Sequence, residues 1–172
     1  MLFNLLPGFA DDFQLFNLFR YLTFRAAGAV VTALVLSFVL GPSLIRWLRA
    51  KQGEGQPIRS DGPESHILTK HGTPTMGGVL ILFSLTVSTL LWADLSNPYV
   101  WTVLMVTGGF GVLGFIDDYM KLTKRNPKGL SSRLKLIGQL AISFAAASVI
   151  MTTTAAPLNV GLAVPFFKDL LI

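Results

Sequence analysis

The sequence contains no cysteine. Disulfides, thiolate metal centres and a thiol nucleophile are therefore excluded, and the redox compartment stays open. Charge is nearly as scarce. Asp, Glu, Lys and Arg make up 13% of the 172 residues, against 52% apolar residues, a balance that points away from an ordinary soluble domain and toward a membrane. Residues 1–23, "MLFNLLPGFADDFQLFNLFRYLT", lack the basic start and small-residue cleavage site of a signal peptide. Internal repeats and low-complexity tracts are absent. The two histidines, His66 and His71, are five residues apart. That spacing does not bring two imidazoles to one helical face, so they read as loop residues and not as a metal site.

What the chain does have is four apolar segments, 24–48, 75–92, 99–116 and 134–154, each near the roughly 20 residues needed to cross a hydrocarbon core. They predict an all-α, polytopic membrane helix bundle forming a single membrane domain over 1–172, with loops at 49–74 and 117–133. Ahead of them, Phe13, Leu15, Phe16, Phe19 and Leu22 fall on a broad helical stripe. This stripe fits an interfacial helix leading into the first span, or a helix buried against neighbouring spans. The tail "APLNVGLAVPFFKDLLI" ends apolar, as though a further crossing were about to begin.

The net charge of +5 matters less than its placement. Arg46, Arg49, Lys51, Arg59 and Lys70 cluster around the first loop. Lys121, Lys124, Arg125, Lys128, Arg133 and Lys135 cluster around the second, so eleven of the fourteen basic residues lie there. The "ADLSNP" turn between the second and third spans has none. The positive-inside rule puts both basic loops in the cytoplasm, and the N-terminus, the turn and the tail outside. An anionic lipid or anionic substrate is the expected partner, rather than nucleic acid.

Asp117 and Asp118 stand at the end of the third apolar run. On a helix, Asp118 shares a face with Gly114 and Gly111, while Asp117 follows Gly114 by three. Glycines there would let another helix approach closely, turning the pair toward protein or a cleft. Adjacent carboxylates repel and call for a compensating cation. Mg²⁺ suits hard oxygen ligands and commonly uses one or two carboxylates with substrate phosphates; Lys121, four residues after Asp117, is the internal alternative. A plainer reading is that the pair only caps the apolar run at headgroup depth.

In "TKHGTPTMGG", Thr73 suits an N-cap and Pro74 a first helical position, so the second span is expected to start there. Its free N–H groups favour a nearby phosphate, with Lys70 and His71 adding donors; otherwise it is an ordinary helix cap. The glycine and lysine spacing is not that of a Walker loop. "RSDGPESH" is turn chemistry first. "TKRNPKGLSSR" is either a solvated anchor or a holder of phosphates. Together these features suggest metal-assisted chemistry on a phosphate whose other end is in lipid.

"YLTFRA", "RSDGPESH", "KHGTPTMGG", "SNPYVW", "GFIDDYMK" and "VPFFKD" together resemble the phospho-N-acetylmuramoyl-pentapeptide transferases. These are bacterial enzymes of the polyprenyl-phosphate N-acetylhexosamine-1-phosphate transferase superfamily, glycosyltransferase family 4. The resemblance implies a ten-span inner-membrane fold and Mg²⁺-dependent transfer of phospho-MurNAc-pentapeptide from UDP to undecaprenyl phosphate, giving lipid I and UMP. By the match at "FIDDY", Asp117 would activate the lipid phosphate and Asp118 would shape the metal and diphosphate site, sharing the metal with a third aspartate outside this sequence. Lys70 and Thr75, matched through "KHGTPT", would lie at the nucleotide and phosphate end of the cleft, with Lys121 as a further substrate-binding residue. A homodimer is compatible with this reading. Because the resemblance reaches only the first four spans and the outer segment that follows, little or no transferase activity is expected of the polypeptide alone. The alternatives are a related transferase using UDP-GlcNAc, against which "GPESH" and "GTPTMGG" argue, and a non-catalytic four-helix membrane module.

Overall fold

The computed structural model describes residues 1–11, 13–53, 74–124 and 129–155. Among these residues all regular structure is helical. A single turn, α1 (Leu2–Leu5), and two 3₁₀ stretches (Leu6–Phe9 and Gln14–Arg20) precede four longer helices. These are α2 (Leu22–Gln52), α3 (Gly78–Trp92), α4 (Pro98–Thr123) and α5 (Ser132–Thr153). α2, α4 and α5 are long and apolar enough to cross a membrane, whereas α3 is a shorter apolar helix. α2 packs along α3 and α4 along α5, with a lighter contact between α3 and α4.

Local chemistry explains most of the boundaries. α4 begins where the Asn97 side chain accepts the Tyr99 N–H at 2.9 Å, with Pro98 in the first turn, an N-cap and N1 pair suited to helix initiation. α5 begins at Ser131, whose hydroxyl accepts the Leu134 N–H at 3.4 Å. α2 tolerates Pro42 in its interior, although the Phe38 carbonyl thereby loses its helical donor. Next to it, Gly41 is buried, and a Cβ there would lie 3.5 Å from Leu80. The backbone of α2 thus comes close to α3 at this point.

Two boundaries depart from the sequence expectation. The second apolar segment does not enter its helix at Pro74: α3 starts at Gly78, with Met76 at φ 72 and no side-chain capping bond at Gly77. Thr73 lies outside the described residues. The lead-in is non-helical because both backbone groups of Thr75 are bonded by the Gln52 side chain. The 15 residues of α3 therefore span only about 22 Å, short of the ~30 Å hydrocarbon core. The third segment does the opposite. α4 continues past residue 116 to Thr123, so the acid pair is inside a helix and not at the head of a loop.

Side-chain burial is the reverse of that in a soluble domain. The buried positions include Leu48 and Ala146 but also Ser84, Ser88 and Thr102, while Phe38 is 77% and Phe144 76% exposed. Small and polar groups between helices, with large apolar groups pointing outward, are how helices pack when their surroundings are as apolar as leucine. Gly111 does what its position predicts, since a Cβ there would collide with Leu82 of α3. On the other side of α4, Gly109 faces Ile142, and Gly138 of α5 faces Leu113. Gly114 differs from expectation, because among the described residues no neighbouring atom lies within 4 Å of where its Cβ would be.

At the bundle end opposite the acids, the indole N–H of Trp92 donates to Thr32 Oγ1 at 2.9 Å, and Thr32 donates to the Gly28 carbonyl at 2.8 Å. Phe19 stacks on the Trp92 ring at 5.5 Å, and Phe24 meets it edge-on. A Cβ at Gly28 would run into that ring. Because the indole is pinned on several sides, Gly28→Val is expected to lower stability by about 2–4 kcal/mol, combining overpacking with the lost hydrogen bond. Thermal unfolding in detergent measures this, and a variant as stable as the parent would refute the packing described.

The expected single N-terminal interfacial helix is replaced by α1 and the two 3₁₀ stretches. Pro7, which has no N–H, sits at the start of the first 3₁₀ stretch and disfavours a continuous α-helix through residues 2–20. Of the anticipated stripe, Phe19 packs on Trp92, whereas Phe13, Leu15 and Leu22 are exposed. The segment is tied to the turn after α3. Asn4 bonds Asp94 and the Leu95 N–H, both at 3.3 Å, and Arg25 lies 4.0 Å over the Phe3 ring. Within the turn, the hydroxyl and N–H of Ser96 hold the Asp94 carboxyl below the usual carboxylate range.

Candidate active site

Successive residues on a helix point about 100° apart, and this separates the two aspartates. Asp118, seven residues after Gly111, is on the side of α4 that meets α3. Its Oδ2 accepts the Thr75 hydroxyl at 3.0 Å. Asp117, four residues after Leu113, is on the side that meets α5. Its Oδ1 accepts the Leu130 N–H at 2.7 Å and pairs with Lys135 Nζ at 2.9 Å. Lys121 joins the two acids, with Nζ 2.7 Å from Asp117 Oδ2 and 3.1 Å from Asp118 Oδ1. All four carboxylate oxygens are thus engaged, and two lysines balance two acids. This compensation makes tenable an otherwise repulsive pair, one member of which, Asp117, is only 9% exposed.

The backbone completes the arrangement. Gly129 has φ +59, and a Cβ there would collide with Asp117 Oδ1 and press on Lys121. Glycine at this position lets the chain close over the carboxylate and present the next N–H to it. On the other flank, the Gln52 side chain at the end of α2 bonds both backbone groups of Thr75. Four segments remote in sequence therefore meet at one end of the bundle.

Of the residues singled out from sequence, Thr75, Asp117, Asp118 and Lys121 come together here. Lys70 and His71 lie outside the described residues, as does His66. Gln52, Gly129, Leu130 and Lys135 also take part, and sequence reasoning did not select them. A glycine following the basic run of "TKRNPKGL" is a modest signal for a left-handed turn, but nothing local marks Gln52, whose partner is 23 residues away.

The ion pairs make a graded prediction. Lys135 serves one acid and its side chain is 40% exposed, so Lys135→Met should lower stability by about 1 kcal/mol at most. Lys121 serves both acids at 20% exposure, so Lys121→Met should cost about 2–3 kcal/mol. Thermal unfolding of both variants measures the difference. The reverse order would contradict the shared role of Lys121.

Among the described residues, no group of three or more His, Cys, Asp or Glu side chains gathers to hold a metal. Two neighbouring hard carboxylates at the end of an apolar helix do fit Mg²⁺, which takes one or two carboxylates and draws its remaining ligands from phosphate oxygens and water. Lys121 and Lys135 meet the same chemical need from within the chain.

Three helices long and apolar enough to cross a membrane, with acids and lysines gathered at one end, define a polytopic helical membrane protein. Comparison with known proteins narrows the class. Residues 70–82 match the Phospho-N-acetylmuramoyl-pentapeptide-transferase signature 1. The whole chain is 60% identical over 172 residues to the Phospho-N-acetylmuramoyl-pentapeptide-transferase of Granulibacter bethesdensis, covering 48% of that protein. It is 57% identical over 178 aligned residues to the protein of the same name from Maricaulis maris, again covering 48% of it. The chain is homologous to phospho-N-acetylmuramoyl-pentapeptide transferases throughout its length, and it spans about half the length of the curated relatives it matches.

Proposed function

We propose that this chain supplies one part of the active site of a phospho-N-acetylmuramoyl-pentapeptide transferase at the cytoplasmic face of the bacterial inner membrane. The reaction joins an oxygen of undecaprenyl phosphate to the sugar-bearing phosphorus of UDP-MurNAc-pentapeptide, breaks the diphosphate link and releases UMP. Lipid I, the product, is the first membrane intermediate of peptidoglycan synthesis. The observation that carries this reading is the contact of Thr75 with Asp118. It joins the segment that matches the family signature to the acid pair and its two lysines.

Each group in the cluster has a role suited to phosphate. Asp117, almost buried between Lys121 and Lys135, is the carboxylate that would activate the incoming lipid phosphate, which the two lysines draw in. The two lysines are the groups that can turn from carboxylate to phosphate oxygens as negative charge builds on the diphosphate. Thr75 keeps one oxygen of Asp118 aligned, with Lys70 in the same signature segment as a further donor to the nucleotide. Bound Mg²⁺, held by Asp117 and Asp118 with a third aspartate from outside this chain, would stabilise charge on the leaving phosphate. The basic helix ends on the acid side support a cytoplasmic orientation. In the four-crossing arrangement that follows, the non-helical lead-in 74–77 completes the path begun by α3, within a ten-span fold. The segment before Tyr21 lies on the outer surface.

The test uses a chimera in which these 172 residues replace the matching part of the Granulibacter bethesdensis relative. In membranes with undecaprenyl phosphate it is expected to release UMP from UDP-MurNAc-pentapeptide and not from UDP-GlcNAc. UMP release from UDP-GlcNAc alone would favour a different member of the superfamily, and release from neither would refute the transferase reading. The 172-residue chain by itself is expected to show little or no turnover.

A further inference from the structure

We infer that Gln52 is a positioning residue for the acid pair: by clamping the backbone of Thr75, it sets the direction from which the Thr75 hydroxyl reaches Asp118. This builds on the reading of Asp118 as a working carboxylate, and it assigns a role to a side chain at the end of α2 that touches neither acid.

The geometry is specific. A primary amide matches a peptide group donor for acceptor. Gln52 uses both faces of that match: Oε1 accepts the Thr75 N–H at 2.8 Å, and Nε2 donates to the Thr75 carbonyl at 3.0 Å. Two bonds to one residue fix its backbone direction, and with it the Cα–Cβ bond that carries the hydroxyl. From that position Thr75 Oγ1 donates to Asp118 Oδ2 at 3.0 Å. The next residue supplies an independent observation. Met76 has φ 72, a left-handed conformation uncommon for a side chain of this kind and one that persists only when its surroundings hold it. The clamp on residue 75 fixes the chain immediately before it. Without Gln52, the turn is free to relax to negative φ, and the Thr75 side chain swings away from Asp118.

A purely structural Gln52 would simply tie α2 to α3, and the two roles separate in a double-mutant cycle. Among the described residues, Gln52 bonds only the backbone of residue 75. A tie between helices therefore survives Thr75→Ala, whereas a positioning effect on Asp118 does not. With the chimera described above in nanodiscs and Mn²⁺ as the probe, followed by electron paramagnetic resonance, Gln52→Met is expected to weaken binding about five- to tenfold, the scale of one or two hydrogen bonds. Thr75→Ala should do the same, and the double variant should be no weaker than Thr75→Ala alone. Gln52→Glu, which keeps the acceptor and loses the donor, should fall between parent and Gln52→Met. If the effects of Gln52→Met and Thr75→Ala instead multiply, the positioning role is overturned.

A second measurement needs no metal. Because the chain has no cysteine, Thr75→Cys with Asp118→Cys can be cross-linked by a short bifunctional thiol reagent. Adding Gln52→Met is expected to slow cross-linking at least about fivefold. An unchanged rate overturns the inference even if the chimera binds Mn²⁺, whereas a slowed rate together with a chimera of parental sequence that binds no Mn²⁺ upholds Gln52 and removes the metal from the proposed function.

Discussion

Asp117→Asn in the chimera is expected to lower UMP release by about 10²–10³-fold, the usual cost of removing one preorganised charged group from a phosphoryl or acyl transfer site. The substitution keeps the shape of the side chain and an oxygen for the Leu130 N–H, which lies 2.7 Å away. It removes the charge that Lys121 and Lys135 meet at 2.7 and 2.9 Å. The local fold should therefore persist, with membrane insertion unchanged, while the lysines are released from the carboxylate. Asp118→Asn should have a similar effect on turnover by disturbing the other half of the Lys121 bridge and the contact with Thr75. UMP release and membrane insertion must be measured on the same preparations. Parental turnover in both variants would reduce the acids to markers of the membrane boundary.

Gly129→Val is the second large effect. The position has φ +59, and a Cβ there would collide with the Asp117 oxygen that accepts the Leu130 N–H. A β-branched residue at positive φ costs on the order of 1–3 kcal/mol in backbone strain alone. Relief requires residues 129–131 or the Asp117 carboxylate to move, and either motion opens the Leu130 bond and shifts the Lys135 contact. We expect a loss of about 2–4 kcal/mol in thermal unfolding, together with a loss of UMP release in the chimera approaching that of Asp117→Asn. Gly129→Asn, which tolerates the left-handed region better but still carries a Cβ, should recover part of the backbone cost and none of the collision. Parental stability in Gly129→Val would show that the chain does not close over Asp117 in this way.

These residues show what could be read from the sequence and what could not. The apolar runs that became α2, α4 and α5 were legible because hydropathy over a span is a local property. Gly111 was legible as a point of close helix approach. Gly114 was assigned the same role but meets no neighbour among the described residues, since periodicity identifies a face but not which part of that face meets a neighbour. The helical start at Pro74 failed because the Gln52 clamp, a contact over 23 residues, overrides a good local capping pattern. For the same reason the acid pair was visible as chemistry, but its division between α3 and α5, and the part played by Lys135, were not. Both depend on how the helices are packed together.

The side of the membrane on which the acid cluster lies decides which substrates can reach it. The absence of cysteine allows a direct measurement: Thr123→Cys, just past the acids, and Ser96→Cys, in the turn at the other end, each made singly and treated with a membrane-impermeant maleimide. Both positions are exposed. Thr123→Cys should react only when the reagent has access to the cytoplasmic face, and Ser96→Cys only from outside. Labelling of Thr123→Cys from outside intact cells would put the carboxylates on the wrong side of the membrane for a nucleotide substrate, and would contradict the proposed chemistry.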